Sequence, residues 1–306
     1  MADATHIAIN PRLDLFKKAP INVSNKEFTI ARVDPQLAIV PNTPITFLIR
    51  GDTNYINLEE SLFRFKIRIV QHNGNNLRAN QTNHITFVNN IFGSAFKTVR
   101  CRLNGTDVTP TNDLYGYKSY IETLCSATGN SSTRLALAGF DLDTGDLNDT
   151  DQATNPSFRR RCLLTNESRD QEVVGRPHID LWRCGRNILP NVDITVQFYP
   201  AEACFAIQHD DTAHVTGQNF TFVISDAHLM VRREVISVTT ALAIEKKVFT
   251  DTAKYFFHAT NSRQFQIPQG STSFRADDIF NGVNPYKVIV FFVNSLAFAG
   301  QYVSNH

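Results

Sequence analysis

The sequence is nearly without net charge: 30 lysines and arginines stand against 29 aspartates and glutamates, leaving +1 over 306 residues. A surplus that small neither neutralises a stretch of phosphate backbone nor holds a protein on an anionic membrane, so bulk charge names no partner. No run of about 18 apolar residues occurs, the length a membrane-crossing helix needs. The opening MADATHIAINPRLDLFKK has no unbroken apolar stretch of secretory-signal size. Catalytic and cofactor signatures are missing too: there is no GxSxG nucleophile turn, no GxxxxGK(S/T) or GxGxxG phosphate cradle, and no CxxC pair. The five cysteines, Cys101, Cys125, Cys162, Cys184 and Cys204, lie singly, which fits free thiols better than a zinc site or a disulfide framework. These absences remove the common enzymes without excluding every enzyme. No internal repeat or low-complexity tract points to a solenoid.

What is present is stiff apolar mass. Hydrophobic residues make up 42%, with 23 Phe against one Trp and two Met, a composition that suits a rigid scaffold over an adaptable surface. Strand signals dominate. SLFRFKIRIV (61–70) sets Phe63, Phe65, Ile67 and Ile69 on one face and Arg64, Lys66 and Arg68 on the other, the period-2 pattern of a half-buried strand. FKTVRCRLNG (96–105) opposes Val99, Cys101 and Leu103 to Arg100 and Arg102, and ends in Asn104-Gly105, a tight-hairpin dipeptide. Further strand runs are FTIARV (28–33), PITFLIRG (44–51), HITFV (84–88), DITVQFYP (193–200) and FTFVISD (220–226), separated by Pro, Gly, Asn and Asp clusters. That spacing predicts a sandwich or barrel and not βαβ units. One helix is expected after Asn112-Asp113, where Leu114, Tyr117, Ile121 and Leu124 recur at helical spacing before Gly129.

The length allows about two domains of roughly 150 residues. Val238-Thr239-Thr240 closes a first set of strands, ALAIEKKVFTDTAKYF reads as a connector open to helix formation, and a fresh β pattern follows in RQFQIP (263–268) and YKVIVFFV (286–293). The second unit is too short to close a sandwich alone, which suggests a fragment of a longer chain or strands that complete a neighbour's sheet.

Candidate sites are few and each has a plain alternative. His209-Asp210-Asp211 with His214 groups zinc-type ligands, although its place between an apolar run and a turn reads as a solvated loop tip. In FDLDTGDLNDTDQATN (140–155), Asp141, Asp143, Asp146, Asp149 and Asp151 suggest calcium, but the Gly falls one position early for an EF-hand loop and no closing Glu follows. Arg159-Arg160-Arg161 beside Cys162 could address the nucleus, contact nucleic acid or receive a phosphate, although three arginines are a weak signal and a solvated strand edge is the default expectation, and Arg232-Arg233 sits inside a strand run. Seven sequons, at Asn22, Asn80, Asn104, Asn130, Asn148, Asn166 and Asn219, are what an Asn- and Thr-rich chain produces by chance. No catalytic, cofactor-binding or metal residue is assigned. The acidic loop and the Asn-rich segment Gln71 to Asn83 are where subunit or outer-surface contacts are expected.

Taken in order, NGTDVTPTNDLYGYKSYIETL (104–124), EVVGRPHIDLW (172–182), ISDAHLMVRREV (224–235) and the segment from DTAKYFFHATNS (251–262) to YVSN (302–305) resemble the capsid-like proteins of Polinton/Maverick elements and adintoviruses. The most specific pieces are the LNG turn followed by YxYxxYIETL, and IPQG...VNPYKVIVFFVNSLAFAGQY. The resemblance runs from about Asn54 onward, and such relatives continue past the point equivalent to His306. It implies an all-β fold of the tectivirus-adenovirus lineage: a jelly-roll sandwich, the first of a double jelly roll, with a short inserted helix, followed by the beginning of a second jelly roll. The corresponding division is an N-terminal arm (1–27), a first jelly roll (28–240), and a connector with a partial second roll (241–306). It also implies a homotrimeric, pseudo-hexagonal capsomer that assembles with itself and with other capsid proteins such as a penton, without sequence-specific nucleic acid or a membrane span. Without a secretory signal, the chain is expected to be soluble and intracellular or virion-borne. The rivals are a single jelly-roll module, penton-like or binding a glycan or receptor, and an enzyme on a cupin-like sandwich, which needs a metal held by inward His and carboxylate ligands.

Overall fold

The computed structural model describes residues 25–110, 112–126, 132–141, 149–210, 212–277, 279–280 and 282–298. Its spine is a pair of 17-residue strands, β3 (Tyr55–Gln71) and β10 (Phe220–Ile236), paired antiparallel along their length with irregularities at Ile224/Asp226 and Met230/Arg232. The alternation in β3 works as expected: Phe63, Phe65, Ile67 and Ile69 are buried, while Arg64, Lys66 and Arg68 face outward. β1 (Asn25–Val33) and β7 (Gln171–Gly175) flank the pair, giving a first sheet in the order β1-β10-β3-β7. The second sheet runs β2-β8-β5-β6, from β2 (Ile45–Ile49), β5 (Phe96–Leu103), β6 (Thr106–Asp107) and β8 (Ile194–Pro200). Inserted β4 (Ile85–Phe87) and β9 (Ile207–His209) pair with each other alone.

With the inserted pair set aside, the chain visits the two sheets in the order first, second, first, second, second, first, second, first. Eight strands in two four-stranded sheets with this winding are a jelly roll. The fold is all-β, as the strand spacing implied.

An aromatic cluster joins the sheets. Phe63 of the first sheet stacks on Phe198 of the second, with centroids 4.1 Å apart and planes 15° apart, and Phe47 meets both edge-on at 5.6 and 6.0 Å. Phe96 lies 5.1 Å from Phe198 and 5.4 Å from Phe65. Each buried Phe contributes about 1.5–3 kcal/mol of transfer free energy, more where ring geometry is favourable. The hairpin between β5 and β6 turns on Asn104 and Gly105, at φ 46° and 84°, as the dipeptide required.

The helices are α1 (Ile91–Ser94), α2 (Tyr115–Ser126), α3 (Ser132–Leu137), α4 (Pro156–Leu164), α5 (Ala203–Ala206), α6 (Val238–Thr250) and α7 (Ser295–Phe298). The expected inserted helix is α2. It packs so closely on α1 that a Cβ at Gly93 would lie 2.1 Å from Ser119 Oγ. The strand-edge expectation for Arg159-Arg160-Arg161 is corrected: all three lie in α4. Asn155 Oδ1 accepts from the backbone N–H groups of Ser157 and Phe158, both at 3.1 Å, and Pro156 occupies the first turn, so the local start signal outweighs a poor apolar pattern.

A second correction concerns the region after α6. RQFQIP (263–268) and YKVIVFFV (286–293) form no strand. A strand exists only where a neighbour takes up its backbone N–H and C=O groups. The pattern specifies the faces a strand would present but not the presence of that neighbour.

Candidate assembly surfaces

Three regions bear on what the molecule could contact. The first is the end of the sandwich where the Gln71–Asn83 segment, residues 149–165 and residues 212–218 meet. The Gln71–Asn83 segment is partly tied down: Leu77 N–H donates to Ser168 Oγ at 2.8 Å, and buried Gln81 donates through Nε2 to Gln218 Oε1 at 2.5 Å. Its exposed stretches are His72–Asn76 and Arg78–Asn80, separated by buried Leu77.

The acidic residues at this end serve the local backbone. Asp149 accepts from Thr154 Oγ1 at 2.5 Å and from Asp151 N–H at 2.9 Å, and Asp151 accepts from Ala153 N–H at 2.9 Å. Asp141 meets Arg160 at 2.8 Å. Asp143 and Asp146 lie outside the described residues. The carboxylates described here brace the turn leading into α4 and do not converge on one point.

The zinc-type group divides. His209 is buried in β9, its ring 6.2 Å from that of Phe220, whereas Asp210 turns the other way to His84 Nδ1 at 2.5 Å. His214 approaches His84, with rings 5.6 Å apart, and Asp211 lies outside the described residues. Sequence reasoning missed His84, which is 126 positions from Asp210 and reaches it only through the β4–β9 pairing. Among the described residues no three His, Cys, Asp or Glu side chains are gathered as a metal would need. All five cysteines are unpaired, and burial pushes Cys101 and Cys162 up to about 12, so neither is a thiolate at neutral pH.

The second region is the outer face of the first sheet, a lattice of opposed charges. Arg64 meets Glu172 at 2.6 Å, Arg32 meets Asp34 at 2.7 Å, and Arg232 pairs with Glu60 while lying 4.1 Å over the ring of Phe28. Arg233 pairs with Asp52. At the foot of this sheet the buried carboxylate of Glu234 accepts from three amides, Asn25 at 2.9 Å, Asn57 at 2.8 Å and Asn187 at 2.7 Å. Burial opposes ionisation there, but those amides and Arg232 outweigh it and hold Glu234 below the usual carboxylate range.

The third region starts where the jelly roll ends. α6 is capped by Ser237, whose Oγ accepts from Thr240 N–H at 3.3 Å, yet none of its residues is buried. Val238, Leu242, Val248 and Phe249 are exposed, Phe249 at 85%. Beyond it, apolar residues of the strand-patterned runs are open as well, with Tyr286 at 89% and Phe292 at 83%. The chain is not detached from the sandwich: Tyr255 and Phe257 pack on the core, and Phe298 stacks on Tyr117 at 5.8 Å.

No family model and no curated protein matches the chain. Solved structures do. A chain of the Sputnik virophage, from a 3.5 Å cryo-EM structure, is similar over 77% of this chain and 53% of its own, at 14% identity and a TM-score of 0.48. The crystal structure of the mavirus major capsid protein is similar over 78% of this chain and 53% of its own, at 12% identity and a TM-score of 0.42. The Faustovirus major capsid protein is similar over 76% and 58%, at 9% identity and a TM-score of 0.44. This chain thus spans about half the length of the solved chains it matches.

Proposed function

We propose that this chain is a structural protein of a viral or virus-derived capsid, without a catalytic centre, and that its work is assembly. The observation that carries the reading is a jelly roll followed by apolar, strand-patterned chain whose side chains stay largely exposed among the described residues. Exposed apolar surface on this scale marks a surface meant to be buried against something else. In this reading residues 241–306 open a second jelly roll beside the first. Three copies then form a pseudo-hexagonal block, and contacts of about 1,000 Å² or more, repeated by symmetry, close an icosahedral shell that other capsid proteins such as a penton complete. Membership of the Polinton and adintovirus lineage rests on the motifs around 104–124 and 267–302. The protein would be assembled inside the host cell and reside in the virion.

The test is size-exclusion chromatography with light scattering, followed by negative-stain microscopy, on a chain extended through the second unit. Trimers with a hexagonal outline, or closed particles, are expected. A monomer or small ring that never forms capsomers and retains a ligand on a glycan array would replace this reading with the receptor-binding one.

A further inference from the structure

After α6 the chain turns back across the sandwich and is held there at several points. Arg186 Nη1 donates to the carbonyl of Lys254 at 2.7 Å, and Leu189 N–H donates to the Tyr255 hydroxyl at 3.0 Å. The Arg186 guanidinium lies 5.3 Å over the ring of Phe256. Thr260 N–H donates to Asp180 Oδ2 at 2.7 Å, and Asn112 Nδ2 donates to the carbonyl of Ser262 at 3.5 Å. Residues 254–262 are therefore a strap, and one of its fastenings is a side-chain carboxylate.

That carboxylate belongs to a nearly dry charge cluster. Asp180 Oδ1 accepts from Lys118 Nζ at 2.5 Å, and Lys118 lies 3.9 Å from Glu122. Glu122 Oε2 takes His178 Nδ1 at 2.7 Å and Arg183 Nη2 at 2.8 Å. The other groups facing His178 are Arg183 Nη2, 3.1 Å from the same Nδ1, the Tyr115 hydroxyl, which accepts from the His178 backbone N–H at 3.1 Å, and the ring of Phe92 at 6.4 Å. The side chains of Asp180, Lys118, His178 and Glu122 are 7, 12, 13 and 15% exposed.

Two cations, Lys118 and Arg183, balance two carboxylates, Glu122 and Asp180, as long as the imidazole is neutral and donates its Nδ1–H to Glu122. A proton on His178 leaves one uncompensated charge in a cluster where Arg183 alone, at 41%, is well exposed to water, an unfavourable state. Thr260 of the strap lines the same small pocket as His178 and Lys118, so lifting the strap widens the access of water to the cluster.

We propose that residues 254–262 are an acid-released strap, with His178 as the side chain whose protonation loosens the Asp180–Thr260 fastening. Burial, Arg183 and Lys118 lower the His178 pKa below the ordinary 6.5, against the pull of Glu122. The sign follows: a histidine depressed in the closed state stabilises closure above about pH 6.5 and loses that contribution as pH falls.

The experiment is amide hydrogen exchange on the full chain between pH 7.5 and 5.5, corrected for intrinsic rates. Protection of the Thr260 amide should fall, by at most about tenfold, while amides of β3 and β10 stay protected. His178→Gln should abolish the pH dependence, whereas His258→Gln, which removes the strap's own exposed imidazole, should leave it intact. Unchanged strap protection in the wild type at pH 5.5 overturns the proposal, as does an equal loss in His178→Gln. Should that variant misfold, NMR titration of the wild-type imidazole decides: a His178 midpoint that does not coincide with loss of Thr260 protection also overturns it.

Discussion

The strand SLFRFKIRIV at 61–70 and the run YKVIVFFV at 286–293 are both rich in aromatic and β-branched residues, yet they end in opposite conditions. Phe63 and Ile67 are fully buried, while Val290 is 75% and Phe292 83% exposed. The first run alternates with Arg64, Lys66 and Arg68, so it asks for a core on one side only, and β8 of the facing sheet supplies it through Phe198. The second run is apolar at nearly every position, the pattern of a strand covered on both faces. Its requirement is larger, and the described residues meet little of it: Phe291 reaches Tyr117 at 6.0 Å and Tyr286 stacks on His258 at 5.2 Å. A hydrophobic pattern states how much cover a strand needs; whether the cover is present depends on the rest of the fold.

Paired substitutions probe this contrast. Phe198→Ala should cost about 3–5 kcal/mol in denaturant unfolding, because it opens a void where Phe47, Phe63 and Phe96 converge. Phe292→Ala should stay within about 0.5 kcal/mol. Comparable losses at the two sites would mean that the trailing run is buried in solution.

A smaller effect is expected at Glu234→Gln, which keeps the shape and removes the charge that three asparagine amides solvate. After discounting for screening, about 1–2 kcal/mol should be lost at neutral pH. Because Glu234 sits below the usual carboxylate range when folded, the wild-type advantage is present above about pH 4.5 and lost as pH falls through the folded value. Urea midpoints of wild type and variant should therefore converge on acidification, and midpoints that stay apart would contradict the ionised assignment.

The smallest contrast uses two glycines of similar backbone, Gly105 at φ 84° and Gly270 at φ 81°. Gly105→Ala strains the β5–β6 hairpin and should cost about 1 kcal/mol. Gly270→Ala should leave the melting transition of the sandwich unchanged, since that turn joins no ladder; a matching shift would tie the trailing region into the cooperative unit.

Much of the sandwich could be read from local pattern. The runs at 28–33, 44–51, 61–70, 84–88, 96–105, 193–200 and 220–226 all fall on strands, because period-2 alternation and turn residues are short-range signals. β7 escaped notice, as Gln171–Gly175 is short and its burial mixed. Helix α4 was misread because PSFRRRCLL has little apolar periodicity, and its cap, Asn155, is the stronger signal. The His84–Asp210 contact, the Glu234 amide cage and the Lys118–Asp180–Thr260 fastening join residues 126, 177 and 80 positions apart, in pairs no spacing rule connects.

Backbone sterics and the alternation of apolar with charged residues, which act within a few positions, were enough to settle that this chain makes strands, where most of them lie and which face of each is dry. Which strands become neighbours, which carboxylates are caged by amides and which apolar run is left uncovered were settled by packing. Those outcomes depend on groups brought together across the whole chain, where only the summed burial and hydrogen bonding of the folded state selects one arrangement.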